Sequence, residues 1–233
     1  MDVTVIIVNR RSREFLRACL TSLFAHTTGL RFEVVVVDNA SFDGAEEMVR
    51  RGFPTVRFCR LRRNLGFAGA NNTAARHARG RYLLFLNPDT ELPGNAINGM
   101  ARFLDRHNDY HGVGCKLVGR DGHVQYTCAR AFPTPFRQFC SLALLDRLFA
   151  HHPAFGGIEL RHWDHRDSRE IDCLSGACMM VRREVFESLG GFDEQLFMYA
   201  EDVDLCYRIR RRGGRLHYLA EEWVRHYGGG SSR

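Results

Sequence analysis

Short apolar runs alternate with segments of helical periodicity through the first third of the chain. Residues 3–8 and 32–37 are continuous runs rich in valine and isoleucine, which is typical of strands that a parallel sheet buries on both faces. The predicted elements are, in order, strand 3–8, a helix capped by Ser12, strand 32–37, a helix between Asp43 and Gly52, strand 56–61, helix 67–78 and strand 82–86. This order predicts an α/β fold with a Rossmann-like, mostly parallel sheet flanked by helices.

Polar residues follow the predicted strands at the points where the strands end. Asn9 and Asp38 come directly after the first two strands, Asn64 follows the third, and the segment 87–89 (Asn-Pro-Asp) follows the fourth. In open α/β sheets, ligands bind beyond the carboxyl ends of the strands. We therefore expect these side chains to border a ligand site.

The remainder of the chain is patterned less regularly. We predict helices over 95–106, 183–189 and 201–212, a turn at 121–122, ordered structure over 173–181 and a strand over 216–219. Residues 126–170 show no clear periodicity and are predicted to form a long excursion over one side of the site. A length of 233 residues suits a single domain, so we predict one domain over 1–233.

The formal net charge of +6 raises the question of an anionic partner. The basic residues are spread along the chain, and no dense basic tract is interleaved with aromatic residues, so we predict no nucleic-acid partner. One interpretation is a solvated basic surface. The other, which we favour, is attraction to anionic lipid headgroups or to a diphosphate-bearing substrate.

The sequence also bears on cellular location. It contains no run of about 18 apolar residues, and its N-terminus lacks the basic and apolar regions of a secretory signal. The eight cysteines do not form a zinc-knuckle or disulfide pattern and fit a reduced protein. We therefore expect a cytoplasmic protein, with any membrane contact peripheral and at the inner face.

Asp89 and His226 are candidate metal ligands. Asp89 follows a buried strand and is fixed by the preceding proline, so its carboxylate could hold a hard divalent cation whose other ligands come from a diphosphate. A turn or helix-capping role explains such an aspartate equally well. His226 could supply a neutral imidazole to the same cation, or it could be structural.

Asp202 is the candidate general base. It shares one face of the predicted helix 201–212 with an apolar stripe, and partial desolvation would make its carboxylate more basic. Glu201 is rotated by about 100° around the helix and cannot serve the same role. The alternative is that these acids merely stabilise the helix N-terminus through the helix dipole. The stripe consists of Leu205, Cys206 and Ile209.

Five short motifs occur in a specific order along nearly the whole chain. They are residues 4–9 (TVIIVN), 37–41 (VDNAS), 63–72 (RNLGFAGANN), 87–89 (NPD) and 201–202 (ED). Together they resemble family-2 glycosyltransferases, and the bacterial rhamnosyltransferase-like branch is the most similar. No Gly-Lys-Ser/Thr phosphate loop and no dehydrogenase glycine fingerprint is present.

The resemblance implies a GT-A fold in which residues 1–92 bind a nucleotide sugar and residues 93–233 bind the acceptor and carry catalysis. It places Asp38 on the nucleoside and Asp89 as the second acid of a DxD-type site for Mg²⁺ or Mn²⁺, with Asn87 in place of the first acid. With one acid missing, the resemblance makes His226 a stronger candidate for a metal ligand. It implies that Asp202 is the general base. The donor pocket would also include Asn9, Asn64, Gly66, Phe67 and Asn71, and the acceptor cleft Gly176, Ala177, Cys178 and Glu201.

The function implied is that of an inverting glycosyltransferase. It would move a sugar, with L-rhamnose from dTDP-rhamnose as the best candidate, from a nucleoside-diphosphate donor to a hydroxyl of a glycan or lipid-linked acceptor. One alternative is a nucleotidyltransferase, but this needs a glycine-rich basic loop near the N-terminus, and residues 9–12 (NRRS) contain no glycine. The other is a non-catalytic sugar-nucleotide-binding protein, which would need neither Asp89 nor Asp202.

A last feature is an apolar set within 126–170. Leu142, Leu145 and Phe149 follow helical spacing with Arg137 and Arg147 nearby, as in a short interfacial helix that docks on a membrane. The alternative, which we weight slightly more, is that this stripe packs on the protein's own core or in a dimer.

Overall fold

Buried strands organise the computed structural model, which describes residues 1–149, 152–197 and 199–228. The strands are β1 (Val3–Asn9), β2 (Phe32–Asp38), β3 (Arg57–Arg60), β4 (Tyr82–Leu86), β5 (Thr90–Glu91), β6 (Tyr110–Val118), β7 (Ala129–Arg130), β8 (Arg169–Ile171), β9 (Cys173–Leu174), β10 (Cys178–Arg182) and β11 (Arg215–His226). The helices are α1 (Arg13–His26), α2 (Ala45–Gly52), α3 (Gly66–Ala75), α4 (Ala96–Arg106), α5 (Pro135–Leu142), α6 (Leu145–Leu148), α7 (Arg183–Ser188) and α8 (Glu201–Arg211).

The central sheet has two parts. Strands β3, β2, β1 and β4 lie side by side and are all parallel, as the sequence predicts. Beyond β4 the order continues β10, β6, β11 and β5, and β10 runs antiparallel to both of its neighbours. The α/β fold class is therefore confirmed, and the second half of the chain completes the sheet with mixed pairing.

Packing explains why the first half is regular. Every residue of β1 and β4 is buried, because helices cover both faces of a parallel sheet. Helix α1 turns one face to the core through Leu16, Leu20 and Leu23. Helix α3 consists largely of glycine, alanine and asparagine, and its small side chains let it lie close to β1 and β2.

The predicted elements recur with small shifts at their ends. Helix α2 begins at Ala45, where the Asp43 carboxylate accepts a hydrogen bond from the Ala45 backbone N–H at 3.1 Å. The predicted turn at 121–122 is confirmed, since Gly122 has a positive φ of 79° and a bridge joins Val118 to Val124. Strand β11 is much longer than predicted and carries two register irregularities against β6.

The segment 126–170 differs from the expectation of one interfacial helix. Helices α5 and α6 are separate, because Leu144 between them adopts a left-handed φ of 56° that no α-helix accommodates. Packing on the protein's own core is also wrong for two of the three stripe residues, since Leu142 is 83% exposed and Phe149 is 47% exposed. Six apolar side chains of this segment are 47% to 83% exposed, and we call them the apolar patch: Phe136, Phe139, Leu142, Leu144, Leu148 and Phe149.

None of the helices in the described ranges combines the length and the apolar character that a membrane crossing needs.

Candidate active site

A buried polar network joins the carboxyl ends of β1 and β2. The Asn9 amide donates to the Asp38 carboxylate at 2.9 Å and to the Ser41 hydroxyl at 3.2 Å. The other oxygen of Asp38 accepts from the Ser41 backbone N–H at 3.2 Å. Both Asn9 and Asp38 are almost fully buried. The sequence places them at the same edge, and the structure brings them into direct contact.

Asn39 ties this edge to the start of α3, a role that the sequence analysis missed. Its amide donates to the Gly66 carbonyl at 3.0 Å and accepts from the Leu65 N–H at 2.8 Å. The Asn64 side chain accepts from the Gly66 N–H at 3.0 Å. Gly66 has a φ of 71°, and a Cβ there would lie 2.2 Å from the Phe197 carbonyl oxygen. Glycine is therefore required at this position.

Two adjacent asparagines of α3 act as structural clamps. Asn71 is 1% exposed and its amide donates to the Phe67 carbonyl at 2.9 Å, so it does not reach an open surface as a donor-pocket residue would. Asn72 holds the backbone of Phe192 through two hydrogen bonds, each 2.9 Å long. The prediction of Asn71 as a pocket residue is corrected, because its side chain is buried and its amide nitrogen is hydrogen-bonded within the helix.

One cavity, of about 350 Å³, collects most of the other predicted residues. It lies where the segment after β4, the loop between β9 and β10, and the first turn of α8 meet. Of the predicted residues it is lined by Phe67, Asn87, Asp89, Gly176, Ala177, Glu201, Asp202 and His226. It is also lined by residues that the sequence analysis did not single out: Thr127, Arg130, Ser175, Tyr199 and Ala200.

His226 and Asp89 form the first polar group in this cavity. The His226 Nε2 atom lies 3.5 Å from an Asp89 carboxylate oxygen and 3.4 Å from the Asn87 amide nitrogen. The Gln125 amide nitrogen donates to the His226 carbonyl at 2.9 Å, which turns the Gln125 oxygen toward His226 Nδ1 at 2.7 Å. Nδ1 then donates to the Gln125 oxygen, and in the neutral imidazole Nε2 carries the lone pair that faces Asp89 and Asn87.

This arrangement fits a divalent cation. Ligand atoms at about 2.1 Å from one cation can lie up to about 4.2 Å apart, and the 3.5 Å between Asp89 and His226 falls within that limit. Asp89 is 2% exposed, and the second nitrogen of His226 is held by a hydrogen-bond partner, as is usual for metal-binding histidines. No cluster of three protein ligands occurs among the described residues, so a bound diphosphate would have to complete the coordination.

Asp202 is the second polar group, and its surroundings differ from the expectation. One oxygen, Oδ2, accepts from the Arg130 guanidinium at 2.7 Å and from the Gly176 backbone N–H at 3.0 Å. The other oxygen, Oδ1, accepts from the Val203 N–H at 2.7 Å. An ion pair, and not an apolar stripe, therefore dominates the environment of Asp202.

The desolvated carboxylate is that of Glu201. Glu201 is 8% exposed, and its Oε2 atom has no hydrogen-bond partner among the described residues. Burial raises the pKa of Glu201 and is the largest effect. A backbone hydrogen bond opposes it, the neighbouring negative charge of Asp202 adds to it, and the positive charge of Arg130 opposes it more weakly. The sequence analysis assigned the desolvated carboxylate to Asp202, one residue later in the chain.

Cys178 does not reach the cavity. It lies in β10 between β4 and β6, is 3% exposed, and its thiol is 3.5 Å from the thiol of Cys115. Its assignment to the acceptor cleft is corrected, because alternate residues of a strand point to opposite faces. Ala177 lines the cavity and accepts from the Asn87 N–H at 2.9 Å, which fixes the segment that carries Asp89.

The fold is that of GT-A glycosyltransferases, as comparison with solved structures shows. A solved structure of GalNAc-T7 with UDP, GalNAc and Mn²⁺ superposes with a TM-score of 0.71 at 18% identity, covering 97% of this chain and 44% of that one. The sequence model of glycosyl transferase family 2 matches residues 3–190, and that of family 21 matches residues 154–229. The chain belongs to glycosyl transferase family 2.

Curated relatives are similar over most of the chain. An N-acetylglucosaminyl-diphospho-decaprenol L-rhamnosyltransferase of Mycobacterium tuberculosis is 29% identical over 83% of this chain and 66% of its own length. The O-antigen biosynthesis protein RfbC of Myxococcus xanthus is 30% identical over 99% of this chain and 18% of its own length. The chain thus spans less than two thirds of the length of these relatives.

Proposed function

We propose that this chain catalyses transfer of a sugar from a nucleoside-diphosphate donor to an acceptor hydroxyl, with inversion at the anomeric carbon. The observation that carries the proposal is the placement of the Asp89–His226 pair and the Asp202 carboxylate on the walls of one cavity. The first pair suits a cation that neutralises a departing diphosphate, and Mg²⁺ and Mn²⁺ are both compatible with these ligands. The Asp202 carboxylate suits deprotonation of a hydroxyl.

The reaction is a single in-line displacement. Asp202 accepts the proton of the acceptor hydroxyl as the new oxygen–carbon bond forms and the bond from the anomeric carbon to the diphosphate breaks, the electron pair leaving with the diphosphate. Asp202 acts as base and no enzyme nucleophile is needed, so the configuration inverts. Glu201, protonated over a wider pH range because its pKa is raised by burial, is suited to donate a hydrogen bond to an acceptor oxygen.

The base is tested with Asp202→Asn. We expect turnover to fall by about 10²-fold or more, because a general base contributes that much, while the donor binds as before. Donor binding is followed by thermal shift and turnover by release of the nucleoside diphosphate. Full turnover in Asp202→Asn would remove Asp202 from this role.

The division of the chain supports a donor side and an acceptor side. Residues 1–92 supply the network around Asp38 and the Asn87–Asp89 segment, and residues 93–233 supply Gly176, Glu201 and Asp202. We assign Asp38 to the nucleoside and the loop at Gly176 to the acceptor. Asp38→Ala should then weaken donor binding with little change in the acceptor KM. A rise in the acceptor KM as large as the loss of donor affinity would contradict the division.

The donor is proposed to be dTDP-L-rhamnose. The support is the similarity to the mycobacterial rhamnosyltransferase, while GalNAc-T7, at lower identity, was solved with UDP. A thermal-shift screen of dTDP, UDP and GDP with Mn²⁺, repeated with EDTA, tests this. Stabilisation by dTDP alone that EDTA abolishes is expected, whereas a response restricted to UDP or GDP would overturn the rhamnose assignment.

Analysis of the released products separates the alternatives. A non-catalytic sugar-nucleotide-binding protein would bind the donor without releasing its sugar. It would therefore show no turnover for a substitution to lower. A nucleotidyltransferase would release pyrophosphate from a nucleoside triphosphate. Release of a nucleoside diphosphate that depends on an added acceptor is the outcome expected of the glycosyltransferase.

The acceptor is proposed to be a lipid-linked glycan presented at the inner face of the cytoplasmic membrane. The apolar patch is exposed, and Arg147 beside it is also exposed. Asp146, the acidic residue within 136–149, is buried and ion-paired with Arg161, so it does not offset the exposed charge of Arg147 beside the patch. Apolar and basic side chains together suit an anionic lipid surface.

Vesicle pelleting tests the membrane contact. Vesicles with anionic lipid should retain the protein at low salt and release it at high salt, because each engaged arginine contributes about 1 kcal/mol by electrostatic attraction. Arg147→Glu should reduce the fraction of protein that pellets with the vesicles. Arg17→Glu on α1, which makes the same charge change, should reduce that fraction less. Equal loss in both variants would mean that only net charge matters, and no pelleting at low salt would refute the contact.

A further inference from the structure

Arg130 enters the cavity from a part of the chain that otherwise has little regular structure. It belongs to the two-residue strand β7, which pairs antiparallel with β9 so that Arg130 lies opposite Cys173. Its side chain is 20% exposed and that of Asp202 is 15% exposed. A guanidinium this far removed from water is stabilised only if an anion is close, and Asp202 is that anion.

The hydrogen bonds at Asp202 are distributed unequally between its two oxygens. A carboxylate oxygen accepts two hydrogen bonds, and Oδ2 already accepts two, from Arg130 and from the Gly176 N–H. Oδ1 accepts one, from the Val203 N–H, and keeps one lone pair. The plane of the carboxylate is therefore fixed by two donors on one side, and the proton-accepting position is left on the other.

We propose that Arg130 is a positioning residue for the general base, clamping Oδ2 together with the Gly176 amide so that the acceptor proton is transferred to Oδ1. This inference rests on the proposed function. In the reaction the acceptor oxygen loses its proton to Oδ1 and bonds to the anomeric carbon, while the diphosphate leaves with the electron pair. Arg130 touches neither substrate in this step; it orients Asp202.

Several ionisable groups lie close to Asp202. Glu201 lies beside it on α8, the thiols of Cys173 and Cys206 lie near the ion pair, and Asp89 and His226 line the same cavity. Of the groups that contact Asp202 in the described residues, Arg130 carries the positive charge. Loss of Arg130 therefore removes the cationic partner of Asp202 and leaves the Gly176 N–H as the remaining donor to Oδ2 among the described residues.

The test compares three substitutions at Arg130 in the full chain. Arg130→Gln keeps length and a hydrogen-bond donor but removes the charge, and we expect kcat to fall about tenfold or more. Arg130→Lys keeps the charge but not the planar donor geometry, so kcat should fall less. Guanidinium added at low concentration should restore part of the activity of Arg130→Ala. The KM for the donor should change by less than about twofold in all three.

Arg208→Ala is the matched control. Arg208 pairs with Asp204 on the same helix at 2.6 Å, and the pair is similarly buried, at 25% and 27% exposure. Its loss should lower the melting temperature while kcat stays within about twofold of wild type. A kcat within twofold of wild type in Arg130→Gln, or no recovery of Arg130→Ala by added guanidinium, while Asp202→Asn is inactive, would overturn the role of Arg130 alone. Full activity of Asp202→Asn would instead overturn the assignment of the base.

Discussion

Replacement of Glu201 by glutamine should make the protein more stable at neutral pH, although it changes a residue of the candidate site. The substitution keeps the size of the side chain and removes its charge. Glu201 is 8% exposed, with Oε2 lacking a partner among the described residues, so its ionised form is poorly compensated. Burial raises the pKa of Glu201 in the folded protein above its ordinary value.

The sign follows from the direction of that shift. A group with a raised pKa in the folded state stabilises the protein at pH values below its unfolded pKa, and this contribution is lost as the pH rises through the folded pKa. Glutamine does not titrate, so Glu201→Gln avoids the loss. Burying an unpartnered charge costs more than burying an unpartnered neutral amide, and the difference is about 1 kcal/mol or more. A difference of about 1 kcal/mol corresponds to a melting temperature about 2–4 °C higher for a domain of this size.

Thermal unfolding of both proteins between pH 4.5 and 8.5 measures the effect. The advantage of Glu201→Gln should be near zero in acid and grow toward neutral pH. Glu222, whose pKa is also raised by burial, is present in both proteins and cancels in the difference. As a control, Glu187→Gln on α7 removes an exposed carboxylate paired with Arg183 and should show no such growth. A constant offset at all pH values, or a Glu201→Gln protein that is less stable at neutral pH, would refute the reasoning.

Three further predictions follow from single contacts. Gly66→Ala should destabilise the fold by at least about 1–3 kcal/mol in denaturant titrations, because alanine at a φ of 71° is strained and its Cβ would lie 2.2 Å from a carbonyl oxygen. Asn72→Ala should cost about 2–3 kcal/mol by the same measurement, since it removes both hydrogen bonds to the Phe192 backbone. Gln125→Leu should weaken Mn²⁺ binding in the presence of a nucleoside diphosphate about tenfold or more, measured by calorimetry, because it frees the His226 ring to rotate.

The donor half of the fold could be predicted because its signals are local. Strands β1, β2 and β4 are buried on both faces, so their residues read as unbroken apolar runs, and the polar residues that end them necessarily share one edge. The contact between Asn9 and Asp38 follows from this geometry, since the two residues are register partners in β1 and β2. No knowledge of distant contacts was needed.

The contacts that shape the cavity on its other side are not local. Gln125 meets His226 across 101 residues, and Arg130 meets Asp202 across 72. Each of these residues lies outside any periodic pattern: Gln125 precedes a short 3-10 turn, and Arg130 ends a two-residue strand. Periodicity reports which face of an element is apolar, but a single side chain in an irregular segment carries no such signal.

The misassignment between Glu201 and Asp202 has the same origin. Helical spacing correctly separates the two carboxylates by direction, but it does not say what packs against the first turn. Tyr199 and Ala200 both have left-handed backbone angles, with φ of 68° and 70°, and they turn the chain so that Glu201 is buried and Asp202 meets Arg130. Two neighbouring acids thus acquire opposite environments, one desolvated and one ion-paired. A site with both kinds of carboxylate can hold one proton donor and one proton acceptor at the same pH, which is what transfer to a hydroxyl requires.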